Sequence, residues 1–458
     1  VRIVLLSGGS GKRLWPLSNE IRSKAFLKLL PAEGGGQESM IQRVCRQLDA
    51  AGLLSSTAIV AHQSQLELIQ NHVGDRLPVI SEPCKRGTYT AIALASAYLH
   101  TEQKAGPEET LCVLPVDSFA DPAFFQLMHA FPSVLAESGA DLALLGTVPG
   151  HPSSQFGYIL PATVAGEARS FFPVDRFVEK PDERQASDLI RAHALWNCGV
   201  FAFPLKFMLA ELKKKGLPSD HKELLHGYEQ LPDLSFDQEI VENCRQAAVI
   251  PYHGLWKDLG SWEALTNHVG SRVIGSGQVS ADSVNTHLIN ELSYPIQIID
   301  VPNIIVAASP DGILVASKMN ASRIKEKLTN TPQLAKYAEK RWGTFRVLDH
   351  IVAENGVEVV TGKMQLIAGK HTSYHKHSRR TESWTVASGI GEMILEDRLL
   401  QLQTGDMLQI PCGASHGVRA VTSLEVIQIQ VGSGLWDEED TDRIATSWED
   451  ALQRCRKG

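Results

Sequence analysis

The chain has 458 residues, of which 43% are hydrophobic and 21% charged, with a formal net charge of −8. That length exceeds what one hydrophobic core ordinarily serves and predicts two or three domains of a soluble globular protein. The acidic balance argues against a nucleic-acid partner, which calls for a basic surface, and leaves room for a small anionic ligand at a locally basic site.

Seven cysteines, an odd number with no CxxC pair, read as reduced thiols. No secretory signal precedes the first apolar run, and no run is long enough to span a bilayer. The expectation is a cytoplasmic protein with no targeting segment and no membrane partner.

Residues 1–6 read as a buried strand, followed by a turn rich in Gly and Ser. Ser39 is placed to cap a helix through Ala51, with Ile41, Val44, Cys45 and Leu48 at helical spacing and Gly52 just past its end. Strands are expected at 57–61 and 111–114, and a helix at 91–98. This alternation predicts a mostly parallel, three-layer, Rossmann-like α/β domain over residues 1–275. Residues 276–330 read as a β-rich connecting segment, with strands at 296–301, 304–308 and 313–316, a hairpin turn at Asp311-Gly312 and a helical stretch at 321–328. Residues 329–332 read as a linker. Residues 340–458 form the last domain, all-β, with strands at 357–367, 384–386, 392–395, 407–410 and 424–430 and a tail that turns acidic and then helical.

The turn after the first strand is Ser7, Gly8, Gly9, Ser10, Gly11, Lys12, Arg13, Leu14. Glycines let successive backbone N–H groups cradle a phosphate chain. No Ser or Thr follows Lys12, so this is not a Walker A loop, and Leu14 stands where GxGxxG needs its third glycine. Taken alone, it reads equally as a nucleotide cradle or a tight turn. The longer stretch from Gly8 to Ser18, with Lys24 and Phe26-Leu27, resembles the signature of mannose-1-phosphate guanylyltransferases within the wider sugar nucleotidyltransferase family. Further segments match in the expected order: Glu82-Pro83 with Arg86 and residues 91–95, Pro115 to Asp117, Phe156 to Ile159, Phe177 to Pro181, Trp196 to Phe201, and Trp256 to Trp262.

The resemblance implies in-line attack of a sugar-1-phosphate oxygen on the α-phosphorus of GTP, giving GDP-mannose and pyrophosphate with no covalent nucleophile. It places Arg13 and Lys24 on the triphosphate and Asp117 and Asp258 as Mg²⁺ ligands. Gly8, Gly9, Ser10, Gly11, Lys12, Glu82 and Arg86 fall to the nucleotide, and Gly157, Glu179, Lys180 and Asn197 to mannose 1-phosphate. A homodimer or higher homo-oligomer is expected. Singly, each residue has a plainer reading: Asp after a strand caps a helix, Lys and Arg are solvated, and Trp256 and Trp262 are core. The chain departs from the family pattern at Ala25, at Gly87 (commonly Asn) and at Val116 and Ser118 beside Asp117. These departures bear on base and sugar choice and leave the charged groups in place.

Gly369, His375, His377, Glu382 and Gly389, then Gly405, Pro411, Gly413 and His416, resemble the two motifs of a cupin barrel. Residues two apart on a strand share a face, so His375 and His377 can both point inward. With Glu382 and His416 they make a donor set for Zn²⁺, Mn²⁺, Co²⁺, Fe²⁺ or Ni²⁺. In bifunctional relatives this module resembles a type II mannose-6-phosphate isomerase bearing Arg-x-Glu-His-Trp. Here Arg380, Glu382 and Trp384 remain, Ser383 replaces the His, and His375 stands where Gln is usual. Arg380 is thus a candidate isomerase residue, and a metal-stapled barrel without activity stays open. So do two other readings: a transferase for another hexose 1-phosphate or another NTP, and a silent sugar-nucleotide-binding regulator, although such proteins are expected to lose charged groups that this chain keeps.

Overall fold

The opening apolar run folds as β1 (Arg2–Ser7), an interior strand of a nine-stranded sheet. The structure is a computed structural model and describes residues 1–8, 12–162, 169–328, 335–436 and 440–455. Gly9, Ser10, Gly11, the side chain of Lys12 and the expected linker 329–332 lie outside the described residues. Two compact units emerge: residues 1–11 with 23–270, and residues 12–22 with 271–458.

In the first unit, β2 (Thr57–His62), β3 (Val79–Glu82), β4 (Thr110–Pro115), β5 (Leu142–Thr147), β6 (Tyr158–Pro161), β7 (Phe172–Val178), β8 (Leu195–Pro204) and β9 (Ala247–Tyr252) join β1 in the order β3-β2-β1-β4-β8-β5-β9-β7-β6. The expected mostly parallel sheet is instead mixed. β3, β2, β1 and β4 run parallel, as do β5 and β9, but β8 lies antiparallel to both β4 and β5. A continuous apolar run such as 195–204 reports burial on both faces and carries no signal of direction.

Helix α1 (Met40–Ala50) starts where expected: Ser39 and Gln42 form a reciprocal capping box. The helix expected at 91–98 is longer, α2 (Gly87–Thr101), and is buried almost all round, so Val4, Val60, Val113, Leu144 and Val249 of the sheet share one core with Ile92 and Leu94.

In the second unit, residues 273–317 form a small sheet of Val273–Gly275, His287–Asn290, Ile304–Ser309 and Gly312–Ser317 beside a parallel pair, Gly277–Val279 and Ile296–Ile298. The hairpin turn is Pro310-Asp311, one residue earlier than expected, because Ser309 pairs with Gly312. The barrel follows. β10 (Tyr337–Lys340), β11 (Gly343–Val352), β12 (Glu358–Leu366), β14 (Arg380–Ser388), β17 (Met407–Ile410) and β19 (Leu424–Gly432) form one sheet in the order β10-β11-β12-β19-β14-β17. The other is β16-β15-β18-β13-β20, from β13 (Tyr374–His377), β15 (Ile390–Leu395), β16 (Arg398–Gln403), β18 (His416–Ala420) and β20 (Thr441–Ala445). The tail, expected to be acidic and then helical, also contributes β20 against β13 before the helix Trp448–Cys455 seats Trp448 and Ala451 on Tyr374 and Ile394.

Candidate active site and metal centre

In the first unit, chemistry gathers where strands end. β1 runs into the glycine loop, whose one described glycine, Gly8, is exposed. Asp117 follows the end of β4, and the short strand Ser118–Ala120 pairs antiparallel with Trp256–Asp258, setting Ser118 opposite Asp258. Two carboxylates far apart in sequence thus converge on Lys24, whose Nζ lies 2.7 Å from Asp117 Oδ2 and 2.7 Å from Asp258 Oδ1. Burial works against the ammonium, but the two carboxylates outweigh it and hold Lys24 above the ordinary lysine range. Two carboxylates sharing one ammonium leave the cluster net negative, with hard oxygen donors of the kind Mg²⁺ takes.

Arg13 sits on the short 3₁₀ turn Lys12–Leu14, which packs within the second unit. Glu82 is buried and accepts a short hydrogen bond from Tyr228 Oη. Burial raises its carboxyl, and Tyr228 and Lys85 pull it partly back. Arg86 donates to the Glu229 carbonyl and leads into α2 at Gly87. Gly87 has φ +76, and a β-carbon there would collide with the Leu234 carbonyl oxygen, so the glycine at this departure from the family pattern is a steric requirement.

Gly157, Glu179, Lys180 and Asn197 lie near one another. A β-carbon at Gly157 would stand 2.7 Å from both Glu179 Oε2 and the Phe177 ring, so glycine is what permits the approach. The Gly157 carbonyl accepts from Asn197 N–H at 2.8 Å, and Lys180 Nζ contacts Glu179 Oε1. Asn197 lies at an irregularity where the β8–β5 register shifts before Phe201, and such bulges re-aim side chains. Its Nδ2 donates to Asp237 Oδ1 at 2.9 Å. Burial and the neighbouring Glu179 push the Asp237 carboxyl up to about 6. Neither Asp237 nor Tyr228 was legible in the sequence, since neither belongs to a recognised motif. Trp262 is fully buried core; Trp256 packs edge-on against Phe156, which lies tilted on Trp196.

In the second unit, His375 and His377 on β13 and His416 on β18 bring their ligand atoms within 4.8 Å of one another. Each Nδ1 is tied to a carbonyl: His375 to Ser373 at 2.8 Å, His377 to Asp440 at 3.2 Å, His416 to Ala414 at 3.0 Å. That fixes the tautomer and leaves the Nε2 lone pair free to ligate a metal. Burial lowers His375 and His416 to about 4 and His377 to about 2, with Arg380 adding to the effect, so all three imidazoles are neutral at pH 7. His416 Nε2 is buried and has no hydrogen-bond partner among the described residues, an orphan acceptor that a metal would satisfy.

Glu382, expected as a fourth ligand, stands beside this cluster, 3.5 Å from His377 Nε2 and 3.7 Å from His416 Nε2. It already accepts from Arg380 Nε, Trp384 Nε1, Gln428 Nε2 and Gln430 Nε2. Arg380 also donates to His377 Nε2 at 2.8 Å, a contact that a metal on that nitrogen would displace. These groups line a cavity of about 980 Å³. Glu382 and Trp384 line it, whereas Ser383 between them does not. Strand alternation therefore points position 383 away from the cavity, and the missing family His takes nothing from it.

Comparison with known proteins matches two families to two successive stretches of the chain. The Nucleotidyl transferase family matches residues 2–270, and the Mannose-6-phosphate isomerase C-terminal family matches residues 329–446. A mannose-1-phosphate guanylyltransferase of Klebsiella pneumoniae is 30% identical, with 99% of each chain covered. A putative mannose-1-phosphate guanylyltransferase of Vibrio cholerae is 28% identical over 96% of this chain and 98% of its own. A solved structure from Thermus thermophilus, described as a mannose-1-phosphate geranyltransferase, superposes with a TM-score of 0.59 at 26% identity, covering 71% of this chain and 98% of its own.

Proposed function

Because the chain belongs to the nucleotidyltransferase family, as an enzyme of the mannose-1-phosphate guanylyltransferase type with a C-terminal mannose-6-phosphate isomerase-like domain, we propose that it makes GDP-mannose and pyrophosphate from GTP and mannose 1-phosphate. The observation that carries this reading is Lys24 held between Asp117 and Asp258. Both reactants are anions, so the site must neutralise charge where they meet and hold them in line. Lys24, kept cationic by its two carboxylates, serves the triphosphate, and Arg13 serves the leaving pyrophosphate. Asp117 and Asp258 would hold Mg²⁺, which when bound would neutralise charge on the phosphates. Glu179 and Asn197 offer hydrogen-bond partners to the sugar, Gly157 leaves it room, and Lys180 faces its phosphate. The main-chain N–H groups from Gly8 onward, with Lys12, Glu82 and Arg86, serve the nucleotide. The sugar phosphate is the nucleophile, so no side chain needs activation.

The test offers each of four NTPs with mannose 1-phosphate and glucose 1-phosphate and measures pyrophosphate. GTP with mannose 1-phosphate is the expected best pair. Asp117→Asn should lower kcat by about 10²–10³-fold, the scale of losing one preorganised electrostatic contact. Full activity of that variant, or turnover of no pair, sinks the reading.

A second activity is favoured by the three neutral imidazoles with Arg380 in one cavity. We read this as a divalent transition-metal site of His375, His377 and His416, with Glu382 within reach as a fourth donor, in a module that interconverts mannose 6-phosphate and fructose 6-phosphate. The three imidazoles would hold the metal, which when bound would polarise the sugar carbonyl, and Arg380 would meet the substrate's anionic groups. Metal analysis of the purified chain and of His377→Ala, with isomerase assays on both, decides it. Equal metal content in the two proteins would falsify the ligand assignment.

A further inference from the structure

The sugar end of the first site holds a carboxylate to which the reaction above gives no task. Asp237 opens a π-helical turn, Asp237–Val241, a conformation that concentrates at functional positions. Its Oδ1 accepts from Asn197 Nδ2 at 2.9 Å, and its Oδ2 accepts from Ser235 Oγ at 3.4 Å. Asn197 Oδ1 in turn accepts from the Gly199 N–H at 3.0 Å. These two bonds fix the amide in one orientation. A flip would set Nδ2 against an N–H and Oδ1 against a carboxylate, losing both. An Asn amide carries two hydrogens; Asp237 takes one and leaves the other for a ligand.

The groups around this amide are of complementary kinds. The Glu179 side chain is 8% exposed, and its backbone N–H is anchored by Glu242 Oε1 at 2.9 Å. Glu179 and Lys180 are both close enough to Asp237 to act on its charge, in opposite senses. A sugar hydroxyl both donates and accepts, so an amide N–H beside a carboxylate can engage one hydroxyl in both capacities. A site built this way discriminates by configuration, because an epimer leaves its buried polar groups unpaired.

We propose that Asp237 is a positioning residue of the sugar subsite: it holds the Asn197 amide toward a ring hydroxyl and thereby selects among hexose 1-phosphates. The proposal rests on reading Gly157, Glu179, Lys180 and Asn197 as the sugar subsite. It goes beyond that reading in assigning configurational selectivity to a residue outside the set.

The test is steady-state kinetics of the full chain with GTP against mannose 1-phosphate and glucose 1-phosphate, for Asp237→Ala, Asp237→Asn, Asn197→Ala and the Asp237→Ala/Asn197→Ala double variant. Asp237→Ala should raise the KM for mannose 1-phosphate by about 10-fold or more, the scale of one hydrogen bond to a charged group. It should also narrow the mannose-to-glucose ratio of kcat/KM and leave the KM for GTP unchanged. Asp237→Asn keeps an oxygen for Asn197 Nδ2 and should restore most of the selectivity. The double variant should be no worse than Asn197→Ala alone, because both changes act through one amide. Wild-type sugar KM and selectivity in Asp237→Ala overturn the proposal, and so do additive losses in the double variant. Should Asp237→Ala fail to fold, Asn197→Ala decides: unchanged selectivity there overturns the proposal equally. A wild-type chain that turns over neither sugar phosphate instead overturns the reading of the subsite.

Discussion

Asp237 carries a charge that the fold does not favour. Burial first, then Glu179, push its carboxyl up to about 6, while Lys180 and Ser235 pull it back. Its unfolded value is near 3.9. A folded pKa above the unfolded one means the native state binds the proton more tightly. The associated stability is fully present below pH ~4 and is lost as pH rises through about 6. Asp237→Asn removes the ionisation and keeps the shape. It should therefore match the wild type near pH 4 and exceed it at pH 8, by up to roughly 2–3 kcal/mol. Urea unfolding at the two pH values reads this directly, and a variant less stable than wild type at pH 8 contradicts it. Gly87 illustrates the opposite relation, a residue fixed by packing. Restoring the family's Asn would set a β-carbon against the Leu234 carbonyl oxygen at a positive φ. Gly87→Asn should lose about 1–3 kcal/mol, seen as a lower thermal midpoint, even though Asn tolerates that φ better than most residues.

At the scale of elements, alternation along β14 turns a sequence departure into a prediction. Glu382 and Trp384 face the cavity and Ser383 faces away, opposite Gln409 and Ile429 in the ladders. Ser383→His should therefore leave metal content and any isomerase activity unchanged, whereas Glu382→Gln should lower both; a gain of activity in Ser383→His contradicts the orientation. The same periodicity made His375 and His377 legible in advance, since residues two apart on a strand share a face. Direction and pairing were not legible. Nothing in the run 195–204 shows that β8 runs against both neighbours, and Thr441–Ala445, with one large apolar residue, becomes a strand only because β13 lies beside it. The Lys24, Asp117 and Asp258 cluster was legible through motif register, yet its geometry depends on the pairing of Ser118–Ala120 with Trp256–Asp258. Asp237 was not legible, because its significance lies in a contact with Asn197, 40 positions away.

For the whole molecule, the informative feature is that the chain's two units do not follow its linear order. The match to the Nucleotidyl transferase family ends at residue 270, but residues 12–22, inside that match, pack with residues 271–458. Arg22 explains why. Its guanidinium, 11% exposed, makes a bidentate pair with Glu291 at 2.9 Å on both nitrogens, reaches Glu339 at 3.4 Å and stacks over the Tyr337 ring at 4.9 Å. Ser309 Oγ donates to the Pro16 carbonyl at 2.6 Å, and Asn19 Nδ2 donates to Asp311 at 2.9 Å. Stopping the chain at residue 270 therefore removes the partners of the stretch between the glycine loop and Lys24, and breaking a buried ion pair from one side costs about 3–5 kcal/mol. A chain of residues 1–270 should show rapid amide exchange over 12–22 and a large loss of nucleotidyl transfer. A chain of residues 1–328, which keeps Glu291, Ser309 and Asp311, should recover most of both. Arg22→Ala in the full chain should reproduce the exchange phenotype in part, although Arg22 touches no reacting group. Full activity and full protection of 12–22 in the 1–270 chain would show that this stretch holds its conformation without residues 271–458.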